Sequence, residues 1–332
     1  MKRNIAIIAG GDSSEYGVSL RSAAGIYSFL DKEKYDITIV CLRGNDWKAQ
    51  VGEDEWVAID KNDFSFTHKG EKHTFDFAYI TIHGTPGENG VLQGYLDMIG
   101  LPYSCCGVLA AAMTFNKYTC NHYLKGFGVR VAESVLLRKS QEPRAKSQDI
   151  VAQVGLPCFI KTNVGGSSFG VTKVKTLEEV EPAIKKAFAE GDEVICEAYL
   201  KGVEITCGVY KTKEKAVAFP ITEVVTSNEF FDYDAKYNGQ VDEITPARIP
   251  DEVRDAVQAM TLKIYDILGC KGIIRVDYIL TGDEAKGERL EINLLEVNTT
   301  PGMTATSFIP QQVRAAGLDI KEVLSEIIEE NF

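Results

Sequence analysis

No apolar run in this 332-residue sequence approaches the roughly 18 residues of a membrane-spanning helix, and the opening MKRNIAIIAGG is too short in its apolar part for a secretory leader. A cytoplasmic protein without a membrane partner is therefore expected. Positive charge is also short: 36 Lys and Arg face 48 Asp and Glu, leaving a net charge of -12. That balance argues against a nucleic-acid partner, which needs a basic surface to release counterions. Any anionic ligand must be met by local groups. The eight cysteines, at 41, 105, 106, 120, 158, 196, 207 and 270, show no C-x-x-C spacing, and several sit in strand-like runs such as TIVCL and VICEAYL. Buried free thiols are expected rather than disulfides or a thiolate metal site. Neither G-x-G-x-x-G nor G-x-x-x-x-G-K-[ST] occurs, which argues against a nicotinamide dinucleotide site and a P-loop. Repeats and low-complexity tracts are absent as well.

What is present is ordinary globular composition, 45% hydrophobic and 25% charged, over a length suited to two or three domains. The most informative stretch is Leu290 to Thr304, LEINLLEVNTTPGMT. At period two, Leu290, Ile292, Leu294, Glu296 and Asn298 share one strand face. The first three are core residues; the last two place a carboxylate and an amide oxygen about 7 Å apart at the mouth of a turn. Just upstream, IIRVDYIL over 273–280 puts Arg275 and Asp277 on one face of a second strand, and TGDEAKGE over 281–288 is short enough to close an antiparallel hairpin. Asp277 then converges with Glu296 and Asn298. Such an oxygen-only donor set suits magnesium, which takes its remaining ligands from water and phosphates. The plainer reading is a hairpin with solvated charges at its end.

Elsewhere strands alternate with helices. Ile5–Ala9 is an apolar strand, GGDSSE a turn carrying Glu15, and Val18–Leu30 a helix, an α/β unit. Glu15 is either a solvated loop residue or an anchor for an ammonium group. The strand FAYITI leads into a loop opened by His83, placed for either a structural or a substrate contact. Ala110–Lys125 is expected as one helix bearing Lys117, plainly read as a surface lysine. Phe159–Lys161 is a strand, VGGSSFG over 164–170 a flexible loop, and Val171–Val174 a returning strand; Lys161 beside such a loop could meet a triphosphate, although a plain hairpin carries glycine too. Glu197 and Glu204, on apolar strands, can accept hydrogen bonds from an adenine amine or ribose, or be ordinary edge charges. Residues 222–247 form a long irregular stretch whose SNEFFDYDAKYNG, with Lys236 among aromatics, suits a lid. A helix over 250–268 and a terminal helix over 319–329 complete the reading.

Lys161, the glycine-rich hairpin, Glu197, Glu204, Asp277, Glu296 and Asn298 occur in the order of an ATP-grasp enzyme. More narrowly, GGDSSEYGVSL, HGTPGENGVLQGYLDMIGLPYSCCGVLAAA, FFDYDAKY, GCKGIIRVDYIL and LLEVNTTPGMTATS resemble the D-alanine-D-alanine ligase family over nearly the whole chain. The resemblance implies an α/β (α+β) ATP-grasp fold: an N-terminal open α/β domain over 1–105 and two further domains, 106–200 and 201–332, clasping ATP. It implies joining of two D-alanines for peptidoglycan at the expense of ATP, with two magnesium ions, or manganese in their place, in a homodimer. On matching positions, Glu15 would hold the first D-alanine's ammonium, supported by Ser167 and Tyr237, and His83 would touch the same substrate. Lys117, Lys161 and the lid's Lys236 would meet phosphates, Glu197 adenine, and Glu204 ribose. Asp277, Glu296 and Asn298 would bind magnesium, Arg275 and the Gly302 N–H would stabilise an oxyanion, and Ser307 would contact the second D-alanine's carboxylate. Gly17, Asn89, Thr162 and Phe231 depart from the residues usual in relatives, whereas Tyr237 implies a dipeptide rather than an ester product. Two other readings stay open: an ATP-grasp ligase for different acids, and a nucleotide-binding regulator without catalysis.

Overall fold

The first sheet grows from an apolar strand whose residues 5–10 are all buried, β1 (Arg3–Gly10). A helix, α1 (Tyr16–Phe29), carries the chain over to β2 (Tyr35–Arg43), so the two strands run parallel. Strands β3 (Asp46–Gln50) and β4 (Trp56–Ala58) extend the sheet antiparallel, and β5 (Phe66–His68) and β6 (Glu71–His73) pair separately as a hairpin. The buried β7 (Phe77–Ile80) then pairs parallel to β1, giving the order β4-β3-β2-β1-β7. Helix α2 (Val91–Ile99) ends at Gly100, whose φ of 71° is the left-handed conformation that stops a helix and that glycine adopts without strain. The computed structural model of the protein describes residues 2–140, 146–165, 171–226, 241–282 and 289–332. Among these, no helix is long and apolar enough to cross a membrane.

The single helix expected over 110–125 is two helices, α3 (Val108–Phe115) and α4 (Lys117–Lys125). Asn116 between them is extended, and its Oδ1 accepts the Thr119 N–H at 2.9 Å. An asparagine that caps a new helix turns the chain there, and the break makes Lys117 the first residue of α4. The second sheet holds β8 (Ser134–Arg138), β9 (Cys158–Thr162), β10 (Thr172–Val174) and β11 (Glu193–Ala198) in the order β10-β9-β11-β8, antiparallel throughout. Helices α5 (Ser147–Val154) and α6 (Leu177–Glu190) cover it, with Ile150, Val180, Ile184 and Phe188 in the shared core.

The third sheet comprises β12 (Gly202–Lys211), β13 (Ala216–Ala218), β14 (Thr222–Thr226), β15 (Val241–Ile244), β16 (Ile274–Thr281) and β17 (Glu291–Asn298). Its order is β15-β14-β12-β16-β17, with β13 beside β12. The stretch expected to be irregular over 222–247 thus begins and ends in two paired strands. Helix α7 (Asp251–Leu268) packs Val257, Ile264 and Leu268 on one face of the sheet. After β17 come α8 (Phe308–Ala315), which sequence reading passed over as loop, and α9 (Ile320–Glu329).

Packing crosses the sequence divisions. Cys106, Ala110, Cys120 and Leu124, expected with the central segment, are buried in the core of the third sheet together with Val276 and Leu294. Helix α9 returns to the first sheet, burying Val323, Leu324 and Ile327 with Ile5, Ile7 and Tyr35. The first and third units also meet backbone to backbone. A Cβ on Gly272 would lie 1.9 Å from the Ser104 carbonyl, and one on Gly25 2.2 Å from that of Met303. Only glycine fits such approaches. All eight cysteines are free, and all but Cys41 are buried, as expected.

Candidate active site

The acidic end of the β16–β17 hairpin is set by a register shift. Arg275 stands opposite Asn298, Val276 opposite Val297 and Asp277 opposite Glu296, but Tyr278 then pairs with Leu294, leaving Leu295 as the extra residue of a β-bulge. Strict alternation would put residues 294 and 297 on opposite faces, yet both lie in the core beneath the sheet. The expectation that Leu290, Ile292, Leu294, Glu296 and Asn298 share one face is therefore corrected. The bulge inverts the pattern, so that Val297 goes inward while Glu296 and Asn298 turn to the other side with Arg275 and Asp277. Asn121 Nδ2 of α4 reaches the Leu295 carbonyl at 3.5 Å, and Leu294 N donates to Arg130 O at 2.9 Å, which ties the strand down on either side of the shift.

On that outer side a cross-strand row forms: Thr206 on β12, Asp277 on β16 and Glu296 on β17. Thr206 Oγ1 donates to Asp277 Oδ1 at 2.5 Å, and Arg275 forks onto the same carboxylate, Nε to Oδ1 and Nη2 to Oδ2, each at 2.9 Å. Burial disfavours the Arg275 charge, but Asp277, helped by Glu296 and Glu204, outweighs it and holds the guanidinium pKa above its ordinary value. The guanidinium also lies 5.3 Å from the centre of the Phe308 ring. Asn298 Oδ1 accepts the Thr300 N–H at 3.1 Å, which fixes the amide where the strand turns.

Two lysines face this row. Lys117, oriented by the break at Asn116, donates to Gly165 O at 2.7 Å and lies 3.4 Å from Glu296 Oε2. Lys161 on β9 pairs with Glu197 on β11 at 2.5 Å, both nearly buried. Burial opposes the Lys161 charge, but Glu197, with Glu296 and Glu204 further off, raises its pKa above that of an ordinary lysine.

From the first unit, His83 is buried, with Nε2 3.4 Å from Ser22 Oγ, and the same hydroxyl accepts Met303 N–H at 3.4 Å. Glu15 opens α1 nearby, its carbonyl accepting the Ser19 N–H at 3.0 Å. Ser307, just before α8, bonds Thr304 Oγ1 at 2.8 Å, and a Cβ on Gly302 would come within 3.0 Å of its Oγ.

A cavity of about 810 Å³ runs between the three units, and Glu15, His83, Lys117, Lys161, Glu197, Glu204, Arg275, Asp277, Glu296, Asn298, Gly302 and Ser307 all line it. Residues scattered over the sequence are thereby brought to one place. Ser167, Lys236 and Tyr237 lie outside the described residues. Among the described residues no group of three His, Cys, Asp or Glu side chains is arranged to hold a metal ion by itself; the predicted metal site offers two carboxylates and an amide oxygen, a hard donor set. The wall also carries residues that sequence reading did not single out. Thr206 could have been found from its period-two spacing after Glu204. Glu88 and Glu243 gave no signal. Burial, reinforced by Glu15, raises the Glu88 carboxyl above its usual range, while His83 and the Gly84 N–H at 2.6 Å pull the other way. Acids converging on buried cations in a long cleft suit a polyphosphate with its metal beside a small zwitterion.

Comparison with known proteins gives the same direction. The family model described as "D-ala D-ala ligase N-terminus" matches residues 4–106, and "D-ala D-ala ligase C-terminus" matches 123–329. The chain is 68% identical to a D-alanine--D-alanine ligase of Bacteroides fragilis and 64% identical to one of Phocaeicola vulgatus, each over 100% of both chains. Among solved structures, the VanG D-Ala:D-Ser ligase from Enterococcus faecalis superposes with a TM-score of 0.87 at 31% identity, covering 100% of both chains. A Bacillus anthracis D-alanine--D-alanine ligase complexed with ATP gives 0.76 at 28% identity, over 99% of this chain and 97% of that one.

Proposed function

The chain belongs to the D-alanine-D-alanine ligase family, and on that premise we propose that it joins two D-alanine molecules to D-alanyl-D-alanine for peptidoglycan, cleaving ATP to ADP and phosphate in the cytoplasm. Carboxylate and amine do not condense usefully in water, so the first D-alanine must be activated. Its carboxylate oxygen attacks the γ-phosphorus, the bond to ADP breaks, and D-alanyl phosphate forms. Glu15 and His83 orient this substrate, with Ser167 and Tyr237 in support. Lys117, Lys161 and Lys236 offset the charge that the phosphoryl transition state spreads over its oxygens. Glu197 gives one oxygen to Lys161 and has lone pairs left for the adenine amine, while Glu204 takes the ribose.

Asp277, Glu296 and Asn298 would hold two magnesium ions, whose chemistry when bound is to neutralise phosphate oxygens. The fit rests on the hard oxygen donors that the bulge turns to one side. The second D-alanine's amine attacks the acyl carbon, Arg275 and the Gly302 N–H stabilise the oxyanion, and Ser307 receives the substrate carboxylate. The observation that supports this reading best is the single cleft lined by residues from Glu15 to Ser307, each of a type its role needs. Purified protein with ATP and magnesium should release ADP with D-alanine and not with L-alanine, giving D-Ala-D-Ala by mass and chirality. Preferential use of D-serine or D-lactate as second substrate, or ADP release without dipeptide, would overturn it. Sedimentation of the same sample should find a homodimer.

A further inference from the structure

Helix α1 packs on the turn that carries Ser307. A Cβ on its Gly25 would meet Met303 O at 2.2 Å and Thr304 Cα at 3.4 Å, and Ser22 Oγ accepts the Met303 N–H at 3.4 Å. Ser307 is tied to the same turn: its Oγ accepts the Thr304 N–H at 3.1 Å and bonds Thr304 Oγ1 at 2.8 Å. Arg21 stands one helical turn before Gly25 and so shares the face that meets this turn. Its Nη1 lies 3.6 Å from where a Cβ on Gly17 would be, so the side chain runs back along the helix toward the end that bears Glu15. There it is exposed and lines the cleft with Val18, Thr304, Thr306 and Ser307.

Charge sets Arg21 apart. Of the other Arg and Lys side chains described along the cleft, Lys161 holds Glu197, Lys117 lies beside Glu296, and Arg275 is forked onto Asp277. Among the described residues, none places a carboxylate within salt-bridge distance of Arg21. Position 17, from which an acid would pair with it across one helical turn, is glycine. The two lysines belong to the other units, by the acidic row; Arg21 belongs to the first unit, by the Ser307 turn. Ser307 offers a carboxylate a hydrogen bond but no charge, and a carboxylate leaving water is held best by a cation whose N–H groups fork onto its oxygens. We propose that Arg21 is that cation: its guanidinium binds the carboxylate of the second D-alanine alongside Ser307, leaving Arg275 to the oxyanion. This rests on the ligase reading above. Amino acids and hydroxy acids carry the same carboxylate, so Arg21 sets the affinity of the second site and not the choice between amide and ester product.

The test uses the whole enzyme with ATP and magnesium and reads the two D-alanine sites separately. Dipeptide formation needs both sites, whereas capture of D-alanyl phosphate by hydroxylamine, as the hydroxamate, needs only the first. In Arg21→Met the D-alanine concentration for half-maximal dipeptide formation should rise about tenfold or more, as expected for loss of a charge-assisted pair. The concentration for half-maximal hydroxamate formation should not move. Arg21→Lys should recover part of the loss, since lysine keeps the charge but not the fork. Gly17→Glu should shift the dipeptide curve in the same direction while the arginine stays in place, because the new acid occupies its guanidinium. The Cβ this variant adds meets only Arg21 Nη1, at an ordinary contact distance, so the helix accepts it. An unchanged dipeptide curve in Arg21→Met, with the wild type making dipeptide, overturns the proposal alone. So does a parallel shift of both curves, which would place Arg21 at the first substrate or in the fold. Absence of dipeptide from the wild type overturns the ligase reading itself.

Discussion

Replacing Arg275 with alanine is expected to lower kcat about 10² to 10³-fold, the roughly 2.7 to 4 kcal/mol that one preorganised oxyanion donor contributes. The guanidinium is set for that work before substrate arrives. Two of its N–H groups are committed to Asp277, its charge is held by the acids around it, and the Phe308 ring backs it. Lysine cannot reproduce the fork, so Arg275→Lys should recover little. KM for ATP should change far less than kcat, because the proposed interaction is made in the transition state for attack on the acyl carbon. Steady-state turnover of folded variant, checked by thermal melting, is the measurement. Near-normal kcat in Arg275→Ala would remove this residue from the mechanism.

Lys161→Met should damage both activity and stability, for separate reasons. Glu197 is only 5% exposed and its partner is Lys161 at 2.5 Å. Removing the lysine strands a buried carboxylate, at a cost of about 3 to 5 kcal/mol. Turnover should fall about 10²-fold or more, since the cation proposed to meet the phosphates goes with it. Lys161→Met/Glu197→Met should regain much of the stability, because replacing a buried pair by apolar groups is often neutral or better, but none of the activity. The folded-state pKa of Lys161 is raised, so the pair's contribution is complete below the ordinary lysine range and fades only as pH climbs through the raised value. Denaturant unfolding of the three variants at neutral and alkaline pH checks both points. A single variant as stable as the wild type would show that the pair contributes nothing.

What was legible in the sequence follows from what local chemistry encodes. The parallel β1–β2 pair with its crossover helix, the β9–β10 and β16–β17 hairpins and the stop at Gly100 are written in period, turn residues and glycine. The cross-strand pairing of Asp277 with Glu296 was likewise foreseeable. The bulge at Leu295 was not. LLEVN reads as regular alternation, and only the packing of both Leu294 and Val297 into one core demands an extra residue. The same applies to the helix break. Asn116 is an acceptable helix residue until its side chain caps α4 and reaches Glu193 at 3.2 Å, a partner 77 positions away. Strand β15 escaped because VDEI is polar and gains its strand partner only from β14. Glu88 acquires meaning from its place beside His83, which spacing along the chain does not carry. The family resemblance reached further than periodicity because it carried whole constellations rather than single residues.

The most direct test of an acyl phosphate formed in this cleft is transfer of isotopic oxygen. D-alanine labelled with ¹⁸O in its carboxylate is turned over with ATP and magnesium, and the released phosphate is weighed. Attack of the first substrate's carboxylate on the γ-phosphorus predicts one ¹⁸O in each phosphate per dipeptide formed. Unlabelled phosphate accompanying D-Ala-D-Ala would contradict it, and the roles given to Lys161, Arg275 and the acidic row would have to be assigned anew.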